Sequence, residues 1–180
     1  MSIKKIVIIG PESTGKSTLC KQLAVHFKTR WVQEYAREFL STNGKEYLFS
    51  DLYKIAEGQL KNEDDATINT PNHEGNIQSL FVDTDMYVIK VWSEFVFNKC
   101  DNRILNTIAS RQYDLYLLCN TDLPWQEDDF REYPDRKTRE KLFHFYKDAM
   151  INQQVPWVII SGQYEERIIQ AIHAVENLIY

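Results

Sequence analysis

Apolar residues in this chain follow two rhythms. Short, mainly apolar runs at residues 6–9 (IVII), 31–32, 80–82, 113–119 and 155–160 are bounded by polar or turn-forming residues, as buried strands are. Between them lie stripes at helical spacing. Leu19, Cys20, Leu23, Ala24 and Phe27 share one face after the first run, and residues 34–40 read as a helix directly after the second. Ser50 and Asp51 open a third helix, with Leu52, Ile55, Ala56 and Leu60 on one side. Met86, Val88, Ile89, Trp92, Phe95 and Val96 make the next helix apolar nearly all round, so it is expected to be buried. A last helix carries Ile168, Ile172, Val175 and Ile179. Strands alternating with helices predict an α/β fold built on a parallel five-stranded sheet. Residues 62–76, polar and containing Pro71 and Gly75, read as a helix end running into a surface loop.

Composition narrows the class. At 180 residues, with 43% hydrophobic and 26% charged positions, the chain is expected to form a single domain with a full core. No run is long enough for a membrane-spanning helix or a secretory signal, so no membrane partner and a cytoplasmic location are expected. Cys20, Cys100 and Cys119 are odd in number and flanked by apolar residues, and read as reduced thiols. His26, His73, His144 and His173 lack ligand spacing. A net charge of −5, from 26 acidic and 21 basic residues, argues against nucleic acid as a partner.

Candidate chemistry begins immediately after the first strand. Gly10, Pro11, Glu12, Ser13, Thr14, Gly15, Lys16, Ser17 and Thr18 fit G-x-x-x-x-G-K-[ST] between a strand and a helix, the context in which that motif holds a nucleotide. The glycines let backbone amides converge on a phosphate at a helix N-terminus. Lys16 is suited to the β- and γ-phosphates, and Ser17 to Mg²⁺. Asp83 ends an apolar strand and is the counterpart carboxylate for that ion; Asp85 either faces the same site or caps the following helix. Glu34, Tyr35 and Arg37 fall where strand ends meet a ligand in open α/β sheets, although Glu34 also suits an ordinary helix start. Residues 122–141 include a charged segment with Asp128, Asp129, Arg131, Arg136 and Arg139, read either as a lid that closes on a phosphate or as a solvated helix in which Asp135 pairs with Arg139. Asn98, Lys99 and Asp101 spell N-K-x-D, but they follow a helical stretch and are expected to terminate it. Gly162, in the turn after the last strand, would permit close approach of a nucleotide base.

With these residues in view, the chain resembles the ribosylnicotinamide kinase domain family found in NadR and in related stand-alone P-loop proteins. The resemblance rests on GPESTGKSTL, EYAREFL, FVDTD, DLPWQEDDFR and VIISGQYEERIIQAI. It implies a P-loop three-layer sandwich in kinase-type strand order, with the Asp83 strand beside the phosphate-loop strand. It also implies Mg²⁺-dependent transfer of phosphate from ATP to a nucleoside hydroxyl, with nicotinamide riboside the favoured acceptor. Lys16, Asp83, Glu34 and Arg131 would then serve the chemistry, while Glu34, Tyr35, Arg37, Asp85, Trp125 and Asp128 would contact the acceptor. The family pattern places an aromatic residue before E-Y-x-R-E, where this chain has Gln33; the nearest aromatic is Trp31. The competing class is a nucleotide-dependent switch without a small-molecule acceptor.

Overall fold

The first apolar run becomes the middle of the sheet. In the computed structural model, which describes residues 3–70 and 78–179, β1 (Lys4–Ile9) has Ile6 and Ile8 on one face and Val7 and Ile9 on the other. All four are fully buried, which explains why the run is continuous instead of alternating. Each such side chain contributes roughly 1.5–3 kcal/mol relative to exposure. β1 pairs in parallel with β3 (Ser79–Asp83) and β4 (Leu115–Cys119); β2 (Arg30–Val32) and β5 (Trp157–Ile160) complete the five-stranded order β2-β3-β1-β4-β5.

Helices cover both faces. On one side α1 (Lys16–His26) and α7 (Tyr164–Ile179) pack Leu19, Leu23, Ala171 and Val175 onto Ile6 and Ile8. On the other, α4 (Met86–Phe97) and α6 (Arg136–Ile151) place Val88, Val91, Leu142 and Met150 against Val7 and Ile9. α2 (Tyr35–Asn43), α3 (Phe49–Ile68) and α5 (Asn102–Ser110) extend that layer around a third cluster of Ile55, Met86, Ile89 and Ile104. The apolar circumference of α4 is thereby accounted for.

Several boundaries differ from the sequence reading. α3 runs to Ile68, well past residue 62, and residues 71–77, including Pro71, His73 and Gly75, lie outside those described. β4 begins at Leu115 because Asp114 turns away, its carboxylate accepting from Lys4 Nζ at 2.7 Å and the Lys5 amide at 2.8 Å. The N-K-x-D residues join two helices. Asn98, in the left-handed region at φ 53°, ends α4, and Asp101 caps α5, a helix the pattern did not assign. α6 starts inside the charged segment, so residues 122–141 divide into a loop and the first turns of a helix. Asp135 caps that helix through the Thr138 amide at 2.8 Å. Cys20 and Cys119 are buried free thiols; Cys100, also free, is half-buried.

Gly58 inside α3 has a steric cause. A Cβ there would lie 2.0 Å from the Tyr35 ring, which seats against the bare backbone. Gly58→Ala is expected to expel that ring and destabilise the fold by about 1–3 kcal/mol, a drop of roughly 2–10 °C in thermal midpoint, measurable by circular dichroism.

Candidate functional site

An open cleft lies over the C-terminal ends of the strands. Its floor is the loop from Gly10 to Thr18, fixed by local geometry. Gly10 has φ 138°, and a Cβ would meet the Cys119 carbonyl at 2.7 Å, so only glycine lets the loop leave β1 beside β4. Ser13 and Gly15 adopt left-handed conformations at φ 55° and 78°, and Gly15 is the N-cap of α1. Such alternation turns successive amides toward one concavity. The Pro11 carbonyl accepts from Thr14 Oγ1 at 2.7 Å and from Lys16 Nζ at 2.9 Å, which folds the lysine over the loop.

Parallel register sets the second feature. Ile8 aligns with Asp83, so the carboxylate that ends β3 sits beside the strand that launches the loop. Asp83 is completely buried, and neither oxygen has a hydrogen-bond partner. Burial pushes its carboxyl well above the usual range and the charge of Glu34 adds to this, against the opposing pull of Lys16, of the neighbouring Ser17 hydroxyl, which stops short of hydrogen-bond geometry, and of Arg37. An orphaned buried carboxylate next to a serine and a phosphate loop fits a hydrated divalent cation. Among the described residues no cluster of three or more His, Cys, Asp and Glu forms a cage.

The remaining candidates separate into two groups. Glu34, at the start of α2, and Arg37, one turn on, both line the cleft, 3.5 Å apart. Arg37 also grips both oxygens of Asp128 at 2.9 and 3.0 Å, tying α2 to the charged loop. Burial raises the Asp128 carboxyl, but the Phe130 amide and Arg37 outweigh it, leaving it below its ordinary value. Glu12 reaches the same loop, its carboxylate accepting from the Glu132 and Tyr133 amides at 2.9 and 3.2 Å. Arg131 lines the cleft and donates to the Gln126 carbonyl.

Four expected contact residues turn elsewhere. Tyr35 packs into the α2–α3 seam. Asp85 caps α4, accepting from the Tyr87 amide at 3.0 Å and from Tyr116 Oη at 2.8 Å, and burial pushes its carboxyl up to about 7 against those bonds. Thr84 between the two acids, at φ 78°, turns Asp85 away from Asp83. Trp125 is held between Arg131 and Arg139, 5.9 and 5.7 Å from its ring centre, outside the cleft lining. Asp128 is engaged by Arg37 and likewise lies outside that lining.

Other contributors were not identified from sequence. Buried Gln59 accepts from the Tyr35 amide at 2.8 Å and donates to the Asp83 carbonyl at 3.3 Å, joining the start of α2 to the end of β3. Arg167 is buried among the strand-end loops. Trp92, Phe95, Phe130, Tyr133 and Tyr146 add aromatic surface to the lining of the same cleft as Glu34. Trp92 and Phe95 belong to the stripe that reads as a buried helix, and nothing in that stripe distinguishes a cleft wall from a core face. Gly162 donates its amide to Asp122 at 2.6 Å, closing the β5–α7 turn onto the β4 loop.

Comparison with known proteins agrees with this architecture. The AAA domain family matches residues 5–167. The trifunctional NAD biosynthesis/regulator protein NadR of Escherichia coli (strain K12) is 24% identical over 181 residues, covering 98% of this chain and 43% of its own length. The chain thus spans less than half of the curated relatives it matches. A crystal structure of NadR in complex with NR superposes with a TM-score of 0.77 at 25% identity, covering 98% of this chain and 50% of that one. Thymidylate kinase from Ehrlichia chaffeensis shares the fold, with a TM-score of 0.68 at 10% identity and full coverage of both chains.

A carboxyl whose folded pKa lies above its unfolded value gives stability that is complete below the unfolded pKa and lost as pH rises through the folded one. Asp83 has that sign. Asp83→Asn is therefore expected to stabilise the free protein at about pH 8, by about 1–3 kcal/mol, with the gain shrinking as pH falls toward about 5; thermal melts of both proteins across that range check this.

Proposed function

The chain belongs to the AAA domain family, and on that premise we propose that it is an ATP- and Mg²⁺-dependent kinase of a small nucleoside. The favoured reaction converts nicotinamide riboside to nicotinamide mononucleotide. One observation carries the reading: the unpartnered, buried Asp83 carboxylate adjoins the phosphate loop, and the cleft above that loop is also lined by Glu34 and by the aromatic rings of Trp92, Phe95 and Phe130, room for a flat acceptor. A switch protein has no need of that room. A nucleoside kinase requires it.

In this reading the amides of residues 10–18 hold the triphosphate, and Lys16 exchanges the Pro11 carbonyl for the β- and γ-phosphates. Asp83 and Ser17 would hold the hydrated Mg²⁺, which supplies charge neutralisation to the phosphates. The acceptor ring lies among Trp92, Phe95 and Phe130, whose faces suit a flat heterocycle, a cationic one above all. Glu34 faces the cleft and Asp83 does not, so Glu34 takes the hydroxyl proton as the new O–P bond forms and the bond to ADP breaks. Arg131 covers the transferring group from the charged loop, and Arg37 receives the phosphate once it is part of the product. Tyr164, which also lines the cleft, lies 3.4 Å from Gln126 and stands on the side left for the donor base.

The test is ADP release measured across a panel of ribosides. Nicotinamide riboside is expected to accelerate it; Lys16→Ala should abolish most triphosphate affinity; and Glu34→Gln should lower turnover by about 10²–10⁴-fold with ATP affinity retained. Equal slow ADP release with and without every riboside would overturn the kinase reading in favour of a nucleotide-dependent switch.

A further inference from the structure

Two arginines from distant helices reach the phosphate loop from behind. Arg139 on α6 is 4% exposed and donates to the Ser13 carbonyl at 3.3 Å and the Leu123 carbonyl at 3.2 Å. Arg167 on α7 is 3% exposed and donates to the Thr14 carbonyl at 2.9 Å, the Asn120 carbonyl at 2.9 Å, the Gly162 carbonyl at 2.9 Å and the Asp122 carboxylate. The two thus hold consecutive peptide units of one loop.

A trans peptide is planar, with its carbonyl and the next amide pointing in opposite directions. Fixing the Ser13 oxygen inward therefore turns the Thr14 amide outward, and fixing the Thr14 oxygen does the same to Gly15. The loop needs such restraint. Ser13 is a non-glycine residue at φ 55°, a conformation that costs of order 1–3 kcal/mol unless its surroundings impose it. Arg139 is also in no ion pair among the described residues, and its Nε is buried without a partner, so positive charge lies beneath the loop with Glu12 the nearby acid that offsets it.

We propose that Arg139 and Arg167 are positioning residues that aim the Thr14 and Gly15 amides at the triphosphate by holding the carbonyls of Ser13 and Thr14. The proposal rests on the phosphate-loop reading above and adds to it the origin of the loop's pre-organisation. Lysine preserves charge at either position but lacks the planar fork, which separates geometry from simple attraction.

Arg139→Lys and Arg167→Lys would be titrated with Mg·ATP and with inorganic tripolyphosphate by calorimetry, at low and high salt, alongside thermal melts. Each variant is expected to lose about 10–100-fold in affinity for both ligands, to a similar extent at both salt concentrations, with an unchanged KM for the riboside. Wild-type affinity in folded variants would overturn the proposal. If either variant fails to fold, amide NMR of the wild-type protein decides: the Thr14 and Gly15 N–H resonances must move when tripolyphosphate is added, and their invariance overturns it. A wild-type protein that binds neither ligand would instead defeat the underlying phosphate-loop reading.

Discussion

The pairing of β1 with β3 is the constraint on which the site depends. Because Ile8 lies opposite Asp83, the strand that ends in a glycine turn and the strand that ends in a carboxylate finish side by side. Everything on either side serves to keep that alignment. Four fully buried residues lock β1 between two helical layers, and a slip of one position would exchange the faces of Ile6 and Val7. Gln59 then fixes the β3 end to the start of α2, so the helix carrying Glu34 and Arg37 inherits the same reference point. The unpartnered Asp83 carboxylate is a cost to the free protein that the surrounding core offsets.

Much of this was legible because continuous apolar runs and the glycine-lysine motif are local signals. The strands at residues 6–9 and 80–82, the loop at 10–18 and the strand-ending Asp83 needed no knowledge of distant contacts. Gln59, Arg139 and Arg167 were harder. Each occupies a position in register with its helix's buried stripe: Gln59 with Ile55 and Glu63, Arg139 with Leu142 and Tyr146, Arg167 with Ala171 and Val175. Polar residues at such positions are the detectable signal, since burial without partners would be unfavourable. Apart from the Asp122 carboxylate on Arg167, their partners are backbone amides and carbonyls, which no side-chain pattern announces.

Tyr35, Asp85 and Trp125 illustrate a different limit: the resemblance names Tyr35 and Trp125 as acceptor contacts and the sequence leaves Asp85 between the site and a helix cap, while in the structure all three lie outside the cleft lining. Thr84 separates Asp83 from Asp85 through one positive φ, and the first turn of α2 points Glu34 into the cleft while sending Tyr35 against Gly58. Neighbours along a strand end or a helix start routinely diverge, because side-chain direction follows local backbone geometry and not chain order.

The doubly bonded pair between Arg37 and Asp128 sets a rule for what can loosen the charged loop. A neutral or cationic visitor offers the guanidinium nothing in place of the carboxylate, so the latch stays shut while such a molecule is bound. A newly formed phosphate ester trades one anion for another at little electrostatic penalty. On the kinase reading proposed above, the loop is released only by an anion that reaches Arg37, which ties its opening to a phosphate and not to the nucleoside.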